Sequence, residues 1–330
     1  MIPLQDRFGR THDYLRISIT DRCNLHCMYC KPGENVSNPA EKTSSLLTVD
    51  ELAAIVQAAA SLGIKKVRIT GGEPLLREDL GEILRVIART PGIEDVALTT
   101  NGTYLKERLP ELQRAGLQKV NISLDSLNPE TYRRITGDGN LRSVLEGIDE
   151  ALRLGMDPVK INMVLLHEIN HTEIPEFFNF AQRNPVYLRF IEYMPFHTPD
   201  PGDNWYVSTG IVKEYAAAMG TPLEPVSEKK GKGPEDLFRF PGAKGFVGLI
   251  HPISRGFCAQ CNRLRVTADG YLRPCLLRDT EVPLKDAVEN PEQLIRLFEQ
   301  ALTFKEEKHS ITATGNDLSE HPRGMYRIGG

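Results

Sequence analysis

Six short β-rich runs limit what this chain can fold into, because a helix-like segment follows each of the first five. The runs are Leu15–Thr20, Lys66–Thr70, Asp95–Thr99, Lys119–Ser123, Val159–Leu165 and Tyr187–Tyr193. Strands that alternate with helices are joined by crossovers, which gives βαβ units and a parallel sheet. The punctuation agrees. Thr48-Val-Asp-Glu51 reads as a capping box that opens an Ala-rich helix, and Gly63 is placed to end it. Asn128-Pro129 and Asn140 read as further helix starts, Gly116 and Gly155 as stops. Six strands are too few for a closed eight-stranded barrel and enough for an open one. The expected fold class is therefore α/β, a partial (β/α)6 TIM-type barrel followed by a smaller C-terminal α+β region. In that region Arg263–Thr267 and Tyr271–Pro274 flank Ala268-Asp269-Gly270 as a hairpin. The 330 residues suit about two domains of roughly 150 residues each. The charged stretch Ser227–Asp236 has no apolar side chain and reads as an exposed linker. It divides a core over 1–226 from a second region over 227–330.

Barrels of β/α units build their sites from loops at the C-terminal ends of the strands. Gly71-Gly72-Glu73-Pro74 follows the second predicted strand, Thr100-Asn101-Gly102 the third and Asp125-Ser126 the fourth, while Glu192, Tyr193 and Met194 end the sixth. Such loops are also rich in Gly, Asn and Asp simply because they turn and cap helices. The proline-rich Pro195–Asn204 is either a lid or a long connection.

All six cysteines fall into two triads: Cys23, Cys27 and Cys30 after the first strand, and Cys258, Cys261 and Cys275 near the end. Nothing in MIPLQDRFGR resembles an apolar signal core, and no run approaches the ~18 apolar residues of a membrane span. The expected location is the cytoplasm, where clustered cysteines are metal ligands before they are disulfides. A structural metal site closes its coordination sphere, whereas a reactive one keeps a position open. Four cysteines usually hold a [4Fe-4S] cluster, so three leave one iron for a substrate or cofactor. Zinc is the alternative for the first triad, with His26 as the only local fourth ligand. A net charge of −4 argues against general nucleic-acid affinity yet allows a local basic pocket. Arg263 and Arg265, at i and i+2, share one face if extended and suit bidentate phosphate binding. No G-x-x-x-x-G-K-[ST] stretch is present, so P-loop phosphate binding is not expected.

The C-x3-C-x2-C spacing of Cys23, Cys27 and Cys30, with Gly71-Gly72-Glu73-Pro74 after the next strand, resembles the radical S-adenosylmethionine (radical SAM) superfamily. The resemblance implies a [4Fe-4S] cluster on the first triad and SAM on its open iron, with Tyr29, Gly72, Ser123 and Met194 as SAM contacts. One electron from the cluster then splits the sulfonium and yields a hydrogen-abstracting 5′-deoxyadenosyl radical. Arg68–Leu75, Thr99–Gly102, Asn121–Asp125, Arg189–Met194, Cys261–Arg265 and the final Gly329-Gly330 extend the likeness over almost the whole chain. Together they resemble the GTP 3′,8-cyclase family of molybdenum cofactor biosynthesis. That likeness implies a second [4Fe-4S] cluster on Cys258, Cys261 and Cys275, with guanine at its open iron. It also implies GTP contacts at Arg16, Arg68, Thr99, Lys160, Arg263, Leu264 and Arg265, and a C-terminal tail within the active site. A reductant protein and the next enzyme of the molybdopterin pathway are the implied partners, with no nucleic acid and no membrane, and with the chain a monomer or homodimer. Two other readings stay open: a peptide-modifying radical SAM enzyme with an auxiliary cluster, and a non-catalytic iron–sulfur or zinc module.

Overall fold

The structure is a computed structural model that describes residues 3–30, 46–195, 204–226, 233–240, 244–313 and 323–329. Six parallel strands carry the frame: β1 (Tyr14–Ser18), β2 (Lys66–Thr70), β3 (Asp95–Thr100), β4 (Lys119–Ser123), β5 (Val159–Leu165) and β6 (Val186–Glu192). Their order in the sheet follows the chain, as repeated βα units require. The sheet then grows at both sides from the C-terminal part of the chain. Next to β6 lie β9 (Phe246–Ile250), β8 (Asp236–Arg239) and β7 (Glu224–Pro225). Next to β1 lie β10 (Arg263–Val266), β11 (Tyr271–Arg273) and β12 (Val282–Pro283). The twelve strands form one open sheet, so the six-strand barrel is flanked on both sides by later sequence. The expected hairpin is the antiparallel pair β10–β11.

Helices α1 (Val49–Ser61), α2 (Leu80–Arg89), α3 (Leu105–Arg114), α4 (Pro129–Thr136), α5 (Leu141–Arg153) and α6 (Ile174–Arg183) return the chain between strands or cover them. After them come α7 (Gly210–Ala218), α8 (Pro291–Thr303) and the short α9 (Met325–Ile328). The capping box forms: Glu51 N donates to Thr48 Oγ1 at 3.2 Å and Thr48 N to Glu51 Oε2 at 2.7 Å. Asn128 and Asn140 cap α4 and α5 with their side chains. The main core lies between strands and helices, where Leu15, Ile17, Val67, Ile69, Leu98, Val120 and Ile122 meet the helical layer.

The alternate residues on these strands turn inward, and there the molecule departs from an ordinary barrel. Barrel interiors are usually filled with branched apolar side chains. Here Arg16, Arg68, Lys119, Asn121, Lys160 and Arg189 face a cavity. Charges in a buried interior are costly unless paired or occupied by a ligand, so the inner face reads as a binding surface. Of Ser227–Asp236, residues 227–232 lie outside the described residues. The rest is not exposed linker, because Gly233 and Pro234 line the cavity and Glu235 is buried. Glu235 meets an internal cationic surface, a setting indistinguishable from solvent exposure in sequence alone. Most of the Pro195–Asn204 loop and Gly330 also lie outside the described residues.

Candidate functional site

One cavity of ≈ 360 Å³ runs through the barrel, and both cysteine triads stand on its walls. Tyr29, Gly72, Ser123 and Met194 line it near the strand ends, and Arg16, Arg68, Thr99, Lys160, Arg263 and Arg265 line it farther in. Leu264 is not brought there. The alternation that turns Arg263 and Arg265 inward places its side chain in the hydrophobic core at 0% exposure.

The first triad is built locally. Cys30 N donates to Cys27 O at 2.9 Å, and Leu25 N donates to Cys23 Sγ at 3.4 Å. The loop after β2 packs directly onto it: Gly72 N donates to Thr20 O and Glu73 N to Arg22 O, both at 2.7 Å. A Cβ on Gly72 would stand 2.2 Å from Arg22 O, so only glycine permits this approach. Glu73 fixes the next loop in turn. Its carboxylate accepts from Leu75 N at 2.9 Å, Thr100 Oγ1 at 2.7 Å and Asn101 N at 2.7 Å. Burial pushes the Glu73 carboxyl up to about 7 in spite of these donors. Tyr29 donates to Asp125 Oδ2 at 2.6 Å, and Asp125 Oδ1 accepts from Val164 N at 2.9 Å. Burial lifts Asp125 to about 6. It also pushes the Cys27 thiol up, with Cys30, Asp125 and Cys23 adding to the effect.

The second triad is assembled from distant pieces. Cys258 and Cys261 sit on a single helical turn before β10, and Cys275 follows β11. Arg10 NH1 donates to Cys258 O at 2.9 Å, and its Nε to Asp6 Oδ2 at 2.6 Å. Asp6 Oδ2 also lies 3.0 Å from His12 Nε2. Lys305, 3% exposed, donates to Arg263 O at 2.8 Å and Pro274 O at 2.7 Å, tying together the strands that carry the thiols. Burial opposes ionisation of Cys261, yet the Lys305, Arg263 and Arg265 cations bring it below the ordinary thiol value. Glu192 anchors the approach to this turn: Oε2 accepts from Ile253 N at 3.0 Å and Ser254 N at 2.9 Å. Cys275, Met194 and Met325 all pack against the buried cluster of Leu277, Ile311 and Ile328, so the C-terminal helix reaches the surroundings of the second triad. Arg265 donates to Gly329 O, and a Cβ on Gly329 would stand 2.6 Å from Thr70 Cγ2.

Between the triads, Arg265, Arg16 and Arg68 are successive register partners on β10, β1 and β2. Burial and the neighbouring arginines hold Arg16 well below the ordinary guanidinium value, and Arg265 falls to about 10. Burial and Arg189 take Lys160 down to about 8. Burial would raise the Tyr14 phenol, but Arg68, Arg16, Lys66 and Arg263 hold it at about 8. The Nε atoms of Arg68 and Arg263, and Thr99 Oγ1, are buried without a hydrogen-bond partner among the described residues. Buried donors left unmade are costly, and a polyanion would satisfy them. Sequence reasoning did not single out Arg189, whose Nε donates to Asn162 Oδ1 at 2.9 Å and NH2 to Asn121 Oδ1 at 2.7 Å. Its sequence signals are its place at the head of the Arg189–Met194 stretch and a lone cation inside an apolar strand. Among the described residues no three His, Cys, Asp or Glu side chains are gathered to hold a single metal ion; a four-iron cluster is larger and spreads its ligands farther apart.

An open parallel barrel with three thiols after its first strand defines a radical SAM protein. The Radical SAM superfamily model matches residues 17–181, and the Molybdenum Cofactor Synthesis C model matches residues 186–311. The GTP 3′,8-cyclase of Listeria monocytogenes is 44% identical over 335 residues, covering 99% of both chains. That of Petrotoga mobilis is 45% identical over 329 residues, covering 98% of this chain and 99% of its own. This chain belongs to the GTP 3′,8-cyclase family of the radical SAM superfamily. Membership implies a [4Fe-4S] cluster and SAM. The fold is also that of SuiB from Streptococcus suis, with a TM-score of 0.62 and 15% identity over 88% of this chain and 67% of that one. Among the described residues no helix is long and apolar enough to cross a membrane.

Proposed function

We propose that this chain converts GTP to (8S)-3′,8-cyclo-7,8-dihydroguanosine 5′-triphosphate in molybdenum cofactor biosynthesis. The observation that carries the reading is a cavity lined by both thiol triads and by the arginine row Arg265, Arg16 and Arg68. Cys23, Cys27 and Cys30 would hold one [4Fe-4S] cluster, and Tyr29, Gly72, Ser123 and Met194 would seat SAM against it. Bound there, the reduced cluster and SAM supply a hydrogen-abstracting radical through one-electron cleavage of the sulfonium.

Cys258, Cys261 and Cys275 would hold a second [4Fe-4S] cluster with an iron left for guanine. Their donor set fits: Cys261 is already eased toward thiolate by Lys305, Arg263 and Arg265, and Leu277 N donates to Cys275 Sγ at 3.4 Å. Hydrogen bonds to sulfur are one of the levers that set a cluster's potential. Arg16, Arg68, Lys160, Arg263 and Arg265 would hold the triphosphate, with Thr99 a further GTP contact and Leu264 contributing through its backbone. Pinned at both ends, the nucleotide would offer C3′ to the first site and bring C8 within reach for ring closure. Residues 1–226 would then supply the radical machinery and 227–330 the guanine site. A reductant protein and the next enzyme of the pathway complete the set of partners.

Anaerobic turnover of the reconstituted, reduced protein with SAM and GTP, followed by mass spectrometry, tests this. The expected products are 5′-deoxyadenosine and a compound isomeric with GTP. Deoxyadenosine without nucleotide conversion would overturn the substrate assignment.

A further inference from the structure

Beside Lys160 and Arg189, two of the cations that line the cavity, stands a buried carboxylate, as Asp95 stands beside Lys66 and Lys119. Glu235 is 6% exposed, with Oε1 3.4 Å from Lys160 Nζ and Oε2 4.0 Å from Arg189 NH1. Its Oε2 is buried without a hydrogen-bond partner among the described residues. Two glycines make its position possible. A Cβ on Gly233 would fall 1.9 Å from Glu235 Oε2, and one on Gly248 would fall 3.2 Å from Glu235 Cβ. The backbone is thus arranged to let this side chain fold inward. Burial opposes its ionisation, but Arg189 and Lys160 outweigh burial and hold the carboxyl at about 2. It is a permanent anion paired with two cations of the cavity wall.

That placement has a cost for any phosphate entering here. Lys160 is cationic and half-committed, and Arg189 is already oriented by Asn162 and Asn121. A phosphate group arriving at the pair meets a like charge already held there, a juxtaposition that is strongly unfavourable when desolvated. A tethered carboxylate yields to an incoming anion only if that anion gains more contacts than the carboxylate gives up. Orthophosphate gains few. A triphosphate gains many, because it also spans Arg16, Arg68, Arg263 and Arg265.

We propose that Glu235 is an internal competitor for the phosphate end of the site. It occupies Lys160 and Arg189 in the ligand-free protein and thereby favours long polyphosphates over short ones. The inference rests on the reading that Lys160 contacts the substrate's phosphates, and its test separates the two.

The measurement is anaerobic calorimetric titration of the full chain, both clusters reconstituted, with inorganic tripolyphosphate, pyrophosphate and orthophosphate. Glu235→Gln keeps the shape and removes the charge; Glu235→Ala is the second variant should the amide fold poorly. Either should bind tripolyphosphate about tenfold more tightly and gain more still for pyrophosphate, narrowing the selectivity between them. Lys160→Met should weaken tripolyphosphate in the wild-type background. If Lys160→Met weakens binding while both Glu235 variants bind equally or less well, Glu235 orients the lysine and the competitor role is wrong. If Lys160→Met changes nothing, the phosphates lie elsewhere and the underlying reading falls with it.

Discussion

The two thiol triads line the same cavity but are made differently. The first occupies eight residues of one loop and is held by its own backbone and by the glycine loop of the neighbouring strand. The second gathers three thiols from two sides of a hairpin and depends on cations from both ends of the chain, Arg10 and Lys305. A local loop needs only close backbone approach. A distributed site needs buried charge to hold its pieces at one place, and that charge also helps ionise Cys261.

The sharpest way to break the comparison is to remove ligands. Cys23→Ala, Cys27→Ala or Cys30→Ala should abolish SAM cleavage, with deoxyadenosine at background by chromatography. Cys258→Ala, Cys261→Ala or Cys275→Ala should leave uncoupled SAM cleavage and lose GTP conversion; intact GTP conversion would refute a separate role for the second triad. Next comes Gly72→Ala, which drives a methyl into Arg22 O. It should lower iron at the first site and SAM cleavage while leaving iron bound at the second triad unchanged.

Lys305→Met should do the reverse. Two buried carbonyls lose their donor, at a cost of roughly 2–3 kcal/mol, and reconstituted iron should fall from about eight toward about four per chain. Lys305→Arg should recover part of it, and equal loss from both sites would erase the distinction drawn here.

The smallest effect is a pH dependence confined to the brace of the second triad. Burial and Lys305 hold the His12 imidazole at about 4, below its ordinary 6.5. The unfolded chain therefore binds the extra proton first, and stability is lost as pH falls from about 6.5 toward 4. Burial opposes ionisation of Asp6, but His12 and Arg10 hold it at about 2, so its contribution disappears below pH 3.8. Both signs agree. Denaturation midpoints should decline from pH 6.5 to 4, and His12→Gln should flatten the upper part of that decline.

The same contrast explains what could be read from the sequence. The first triad, the Gly71-Gly72 turn and the caps Thr48, Asn128 and Asn140 were legible because each is a local arrangement. So was the strand order, since βα repeats leave little topological choice. The hairpin β10–β11 was legible, but its parallel join to β1, and that of β9 to β6, were not, because those joins pair strands with no local signal between them. The supports of the second triad were hidden as well. Arg10 reaches a carbonyl 248 positions away and Lys305 one 42 positions away, and neither has a local pattern. Leu264 shows the converse: it belongs to a recognisable motif, yet strand alternation turns its side chain into the core.

The pairing of β1 with β10 also imposes an order on synthesis. Until residues 263–266 have left the ribosome, β1 has a neighbour only on its β2 side. For most of translation the first strand therefore presents an open edge, the kind of surface that recruits other chains. A message truncated before β10 would yield a product with its first triad encoded, its arginine row unfinished and its first strand adhesive. Such fragments should partition into aggregates even though every residue of the superfamily match is present in them.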